Sequence, residues 1–163
     1  MTECQITGFE ELKADFQGQL LLPGQDGYEE ARQVWNAMID RRPALIARAA
    51  DTKDVARAVQ FAREQGLPLS VRGGGHNITG SAVRDDGLMI DLSRMTGVQV
   101  DAAARRATVE GGATLADLDR ATQAHGLATP VGINSTTGIG GLTLGGGFGW
   151  LSRRHGMTVD NLE

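Results

Sequence analysis

The sequence predicts an α+β domain, and three observations predict it. A strand-helix-strand pattern runs from Ala44 to Arg72, three more short strand patterns follow between Leu88 and Glu110, and a second capped helix begins at Thr114. At 163 residues the chain has the size of one domain, enough to bury roughly 70% of the surface it exposes unfolded. Apolar residues at 40% and charged residues at 22% fit a globular protein and exclude a disordered or fibrous one.

The elements follow in order. Phe9, Leu12 and Phe16 recur at helical spacing and predict a short leading helix within 7–19, before an apolar run at Leu20-Leu21-Leu22 and a turn at Pro23-Gly24. Residues 28–38 form a weaker helical candidate, ended by Arg41-Arg42-Pro43. Ala44–Ala49 suits a buried strand. Asp51 then offers an N-cap with Asp54 as its partner at the third helical position, and a helix runs to Gln65 with Val55, Ala58, Val59 and Ala62 on its inner face. Gly66 is placed to end that helix in a left-handed cap. Pro68–Arg72 is the next strand and leads into Gly73-Gly74-Gly75. Leu88–Leu92, Val98–Val100 and the alternating Arg106–Glu110 are strands, and Gly111-Gly112 breaks the last. Thr114-x-x-Asp117 reads as a capping box ahead of a helix bearing Leu115 and Leu118, closed by Gly126.

Charge and composition remove several function classes. Sixteen basic against twenty acidic residues give a net charge of −4, which argues against a nucleic-acid partner. The single cysteine, Cys4, forms no internal disulfide, and with three scattered histidines it makes no metal site, so no metal is expected. The first residues show acids and no apolar run, and no stretch reaches the ~18 apolar residues that span a bilayer. The reading is a cytoplasmic protein without a membrane partner.

Glycine is the outlier. There are 23 glycines, about double ordinary usage, and nine fall between Gly132 and Gly156. The first constellation is Val71-Arg72-Gly73-Gly74-Gly75-His76-Asn77, a strand entering a glycine loop that ends in a histidine. Glycines there allow backbone N–H groups to crowd an anion such as a diphosphate; the plainer alternative is a tight turn with a surface histidine. The second constellation, from Asn134 to Gly149, places seven glycines among twelve residues from Gly138. Each interior glycine costs a helix about 1 kcal/mol relative to alanine, so this run is expected to serve close approach to a ligand instead of regular structure. Ile139, Leu142, Leu144 and Phe148, interleaved with those glycines, distinguish it from flexible filler. Standard motifs do not fit: neither lysine lies near a glycine cluster as a P-loop requires, and Thr143 occupies the last glycine position of the Rossmann fingerprint. No serine-hydrolase elbow or zinc-peptidase motif is present.

Arg-Gly-Gly-Gly-His-Asn after a strand-helix-strand unit, then T-T-G-I-G-G, G-G-G-F-G and R-R-H-G-M-T-V-D-N-L, resembles the FAD-linked oxidases of the berberine-bridge-enzyme and vanillyl-alcohol-oxidase type. The resemblance runs from about Arg42 to the last residue. It implies an FAD-binding domain of the vanillyl-alcohol-oxidase (PCMH) type, incomplete at the C-terminus. The family's first loop wraps the FAD diphosphate, and its histidine is often bonded to the 8α-methyl carbon of the isoalloxazine; by position that residue is His76. The resemblance further implies cofactor contacts from Arg72, Gly73, Gly74, Gly75 and Asn77, and from Thr136, Thr137, Gly138, Gly140 and Gly141, with Asp160 and Asn161 close by. Some relatives carry a second link through a cysteine where this sequence has Asn134, so at most one covalent bond is expected.

The implied organisation is a helical lead-in over 1–41 and the N-terminal portion of the FAD-binding domain over 42–163, with a first subdomain over about 42–110 and the start of a second over about 111–163. The implied activity is oxidation of a small-molecule alcohol, amine or sugar, with the flavin as hydride acceptor and O2 as reoxidant. Catalytic groups are expected in a substrate domain beyond this chain, and neither substrate nor oligomeric state is legible. Two alternatives remain: a non-covalent FAD dehydrogenase or reductase of the same fold, and a cofactor-free binding module. A side chain at Gly140 is expected to block the cofactor.

Overall fold

The computed structural model describes residues 6–163; Cys4 and the other residues of the acidic start lie outside the described residues. Four strands form the first sheet, in the order β1-β2-β4-β3: β1 (Gln19–Leu21), β2 (Leu45–Arg48), β3 (Leu69–Arg72) and β4 (Leu88–Asp91). Both β2 and β3 run parallel to the central β4, and β1 pairs antiparallel with β2. A parallel strand covered on both faces is apolar along its length, as Leu88, Met89 and Ile90 of the wholly buried β4 are, with the charged Asp91 at its end. The register brings Arg48, Asp91 and Arg72 abreast at the ends of three neighbouring strands.

One face of the sheet is covered by α3 (Thr52–Glu64), whose Ala58, Phe61 and Ala62 pack on Leu45, Ala47, Leu88 and Ile90 with Leu12 of α1 (Phe9–Asp15). The other face buries Ile46 and Met89 against Leu21, Val83, and Tyr28 and Ala31 of α2 (Tyr28–Ala31). The Tyr28 hydroxyl donates to the Pro43 carbonyl at 2.6 Å, and burial raises its pKa. Asp51 caps α3 as expected, accepting from the N–H groups of Lys53 and Asp54. Gly66, at φ +64°, follows its end. The inner face differs from the expectation: Val59 is 43% exposed and Phe61 1%. Residues 54, 58, 61 and 62 form the buried stripe, and Val59 lies about 100° around the helix from Ala58.

The lead-in is not purely helical, because its middle joins the sheet. The Asp54 carboxylate, instead of closing on Asp51, accepts the backbone N–H groups of Gln17, Gly18 and Ala50 at 2.8–2.9 Å. That holds the chain extended after Asp15 and directs it into β1. The candidate over 28–38 is helical only to Ala31. Beyond it Arg32 pairs with Glu29 and Asp40, bending the chain back. Hydrogen bonds from Arg32 hold both carboxyls below their ordinary range, with Arg42 adding to the effect on Glu29.

The second part begins with a hairpin, β5 (Val98–Asp101) and β6 (Arg106–Val109), followed by α4 (Leu115–Gln123). Ala113, Leu115, Leu118, Val131 and Ile139 form its core, with Val98, Val109 and Leu142 packed against them. Three of the four β6 residues are exposed, so its alternation is weaker than expected; a two-stranded ribbon has few neighbours to cover it. The Thr114–Asp117 capping box forms in both directions. The glycine-rich run, expected to be irregular, contains a helix, α5 (Ile139–Leu144). Two things offset its glycine cost. Ile139 and Thr143, one turn apart, are both buried, and Ile139 N–H donates to Ala113 O next to a bridge between Thr114 and Gly138. A further turn of helix, α6 (Ser152–His155), and a 3-10 turn over Thr158–Asn161 complete the described residues. Among them no helix is long and apolar enough to cross a membrane.

Candidate functional site

Where β3 ends, three charged side chains fix the entry to the first glycine loop. The fully buried Asp91 accepts from Arg48 Nε at 2.8 Å, from two guanidinium nitrogens of Arg72 at 3.2 and 3.3 Å, and from the backbone and hydroxyl of Ser93. Arg72 also donates to the Gln33 carbonyl at 2.9 Å. Arg72, a cofactor contact by resemblance, is thus engaged in bracing the strand end. Asp91 itself was not among the sequence candidates, although an acid closing an apolar strand is the available signal.

Beyond Arg72 the chain turns through Gly73, Gly74 and Gly75 to His76 and Asn77. The backbone N–H groups of these five residues have no acceptor among the described residues. Such a run of unpaired donors is a cradle for anionic oxygens. The Asn77 side chain shapes the next turn, its Oδ1 accepting from the backbone N–H groups of Thr79 and Ser81. All five residues line one cleft of about 320 Å³. Ser81 and Ala82 add to its wall, and Thr137, Gly138, Gly141 and Leu142 close it from the second glycine run. Ser81, Ala82 and Leu142 are additions to the sequence candidates; none carries a motif of its own. A larger concavity of about 550 Å³ continues from Ser81 past Thr79, Arg41 and Arg84.

Glycine lets the two loops meet. A Cβ on Gly74 would lie 2.6 Å from the Gly138 Cα, and one on Gly138 would lie 2.8 Å from the Gly74 Cα, where 3.4 Å begins ordinary contact. Gly140 faces the Gly111 carbonyl at 3.0 Å and does not line the cleft, so a side chain there meets backbone instead of cofactor. Gly141, by contrast, has nothing within 4 Å of its Cβ position and opens on the cleft.

His76 is held on two sides. Its ring stacks on Trp35 with centroids 5.4 Å apart and planes inclined by 21°, and Trp35 N–H donates to the Gly75 carbonyl. Its Nε2 lies 3.0 Å from Thr136 Oγ1. Thr136 therefore sits beside His76 and not on the cleft wall. Asp160 accepts from Met157 N–H at 2.8 Å, and Asn161 donates to the carbonyls of His155 and Met157. Neither lines the cleft; both shape a turn whose Thr158 donates to Gly147 and so braces the glycine run. Among the described residues no group of three or more His, Cys, Asp or Glu side chains is placed to hold a metal ion.

The arrangement fits a dinucleotide with a diphosphate: unpaired amides on one wall, an open glycine on the other, and a histidine among the lining residues. Residues 43–163 match the FAD binding domain family. The (R)-6-hydroxynicotine oxidase of Paenarthrobacter nicotinovorans is 38% identical over 146 residues, covering 90% of this chain and 32% of that protein. The solved structure of 6-hydroxy-D-nicotine oxidase from Arthrobacter nicotinovorans superimposes with a TM-score of 0.88 at 38% identity, over 90% of this chain and 32% of the other. Glucooligosaccharide oxidase from Acremonium strictum, described as carrying a 6-S-cysteinyl, 8α-N1-histidyl FAD, superimposes with a TM-score of 0.81 at 33% identity, over 91% of this chain and 32% of the other. The chain thus spans about a third of the length of the relatives it matches.

Proposed function

The chain belongs to the FAD binding domain family, and from that premise we propose that it is the cofactor-holding portion of a flavin-dependent oxidase, with His76 as the point of covalent attachment. The observation that carries this reading is the row of N–H groups from Gly73 to Asn77 that have no acceptor among the described residues, on five residues that line one cleft. Gly73, Gly74, Gly75, His76 and Asn77 hold the diphosphate through their backbone, while Thr137, Gly138 and Gly141 bound it on the opposite side. Arg72 and Gly140 act behind this surface, the first on Asp91 and the second on Gly111.

FAD supplies a two-electron acceptor when bound. His76 contributes a nitrogen lone pair for the 8α carbon. Forming that bond would replace one hydrogen on the His76 imidazole and one on the methyl carbon; bound FAD would supply the acceptor for the two electrons released, and O2 the reoxidant. The substrate class we assign to the whole protein is a small-molecule alcohol, amine or sugar, supported by relatives named as a hydroxynicotine oxidase and a glucooligosaccharide oxidase. Asn134 stands where a second thioether would need a thiol, so His76 is the single link.

The test is to denature the protein in acid, separate it on a gel and look for flavin fluorescence on the polypeptide. Fluorescence in the wild type and none in His76→Ala is the expected result. Fluorescence persisting in the alanine variant overturns the attachment site, and a dark wild-type band beside yellow supernatant overturns the covalent link while leaving FAD binding.

A further inference from the structure

The contacts around His76 determine which of its ring nitrogens carries the proton. Asn134 Oδ1 accepts the backbone N–H of Thr136 at 3.3 Å, which identifies that atom as the amide oxygen, because an NH2 group there would set donor against donor. The same Oδ1 lies 3.0 Å from Thr136 Oγ1. An amide oxygen cannot donate, so the single hydroxyl proton of Thr136 must point at Asn134. Thr136 Oγ1 then has only lone pairs to offer His76 Nε2, 3.0 Å away on its other side. Both contacts are hydrogen bonds in one arrangement alone: His76 Nε2–H to Thr136 Oγ1, and Thr136 O–H to Asn134 Oδ1. In the neutral imidazole that leaves the lone pair on Nδ1.

We propose that Asn134 and Thr136 are positioning residues that hold His76 as the Nε2–H tautomer, presenting Nδ1 as its nucleophilic nitrogen, while Trp35 fixes the plane of the ring. This rests on the reading that His76 faces the flavin, and it assigns a task to Thr136, which touches the histidine without lining the cleft, and to Asn134 behind it. Stacking on Trp35 restricts rotation of the ring, and the bond at Nε2 selects between its two flipped orientations. Asn134 thereby acts on the ring only through Thr136.

The experiment uses flavin-free protein labelled with 15N, with the two His76 ring nitrogens observed by long-range correlation to the ring protons at about pH 8, above the ordinary histidine pKa. The wild type is expected to show a protonated Nε2 and an unprotonated Nδ1. In Asn134→Ala the Thr136 hydroxyl is released to donate to Nε2, and the Nδ1–H share should rise roughly 2- to 10-fold, the worth of one ordinary hydrogen bond. Asn134→Asp keeps an acceptor facing the hydroxyl and should restore the wild-type tautomer. Thr136→Val removes the acceptor and should also raise the Nδ1–H share. Wild-type protein in the Nδ1–H form, or an Asn134→Ala spectrum identical to the wild type, overturns the proposal.

A second readout separates this from the attachment itself. Flavin-free protein incubated with FAD should form the covalent adduct more slowly in Asn134→Ala than in Asn134→Asp, by the ratio of their Nε2–H fractions. If the spectra behave as stated and no variant or wild type forms an adduct, the positioning stands and the covalent reading of His76 falls. Equal adduct rates alongside altered tautomers overturn the role assigned to Asn134.

Discussion

Two glycines three residues apart are expected to respond in opposite ways to the same added methyl group. Gly138 meets Gly74 backbone to backbone, and a Cβ on Gly138 falls 2.8 Å from the Gly74 Cα and closer still to the Gly74 nitrogen, so the loops must part by more than about 0.6 Å to reach the 3.4 Å of ordinary contact. Both atoms belong to main chain, and no side-chain rotation relieves the overlap. Gly138→Ala should therefore cost about 1–3 kcal/mol, the range for overpacking. At 2–4 °C per kcal/mol for a chain of this size, the melting temperature drops by about 2–12 °C. Gly141 lies inside α5 with nothing within 4 Å of its Cβ position. Gly141→Ala gains helix propensity of about 0.5–1 kcal/mol and should raise the melting temperature of flavin-free protein by about 1–4 °C. The same methyl group projects into the cleft and should weaken FAD binding. Thermal unfolding of flavin-free protein, followed by FAD titration of each variant, reads both quantities. Unchanged FAD affinity in Gly141→Ala would refute the assignment of that open face to the cofactor. A Gly138→Ala protein as stable as the wild type would refute close glycine contact as the reason the two loops meet.

Three further outcomes concern the groups that hold the site in place. Asp91→Ala leaves Arg48 and Arg72 without their shared buried partner and should cost about 3–5 kcal/mol, near the lower figure because the arginines keep some exposure; an unchanged denaturant midpoint would show that the triad does not brace the loop. Asp54→Ala removes the acceptor of three backbone N–H groups, each bond to a charged group contributing about 1.5–3 kcal/mol and less where water replaces it at the exposed Gln17 and Ala50, and should destabilise more than Asp54→Asn, which keeps one acceptor oxygen; denaturant melts of the pair test the order. Hydrogen bonds from the Thr114 backbone and hydroxyl hold the Asp117 carboxyl below the ordinary 3.8, so its contribution is complete above the unfolded-state value and lost as pH falls through the lowered folded-state value. Thr114→Ala should cost about 1 kcal/mol at neutral pH and flatten the stability loss below pH 4, which melting curves between pH 3 and 7 would reveal.

The readable parts of the fold were those written in local rules. Asp51, Gly66, Thr114 and Asp117 act within three or four residues of their own positions, and the structure places each as local chemistry demands. The misread parts depend on contacts far along the chain. Gln17 and Gly18 leave the helix because Asp54 takes their N–H groups from 36 and 37 residues away, which nothing in the leading segment announces. Phe61 replaces Val59 on the buried face of α3 because the stripe is set by where β2 and β4 lie, and both residues fit a helical period of apolar positions. The glycine run forms α5 because Ala113 and Thr114 anchor its first turn, a tertiary effect that outweighs propensity over six residues.

The same distinction applies within the site. Gly73 to Asn77 are contiguous, so the wall they form along the cleft is visible as a motif. Gly140 belongs to a motif just as clearly, yet its Cβ direction, fixed only when α5 forms against Gly111, turns it away from the cleft and leaves Gly141 facing it. Trp35 and Thr136 reach His76 from 41 and 60 residues away, and no pattern in the sequence joins a tryptophan after an irregular turn to a histidine after a glycine triplet. A sequence motif can therefore locate a histidine on the cleft wall without specifying its tautomer. On the proposed reading that property is set by Asn134, two residues from Thr136 in sequence and in contact with it through a single amide oxygen.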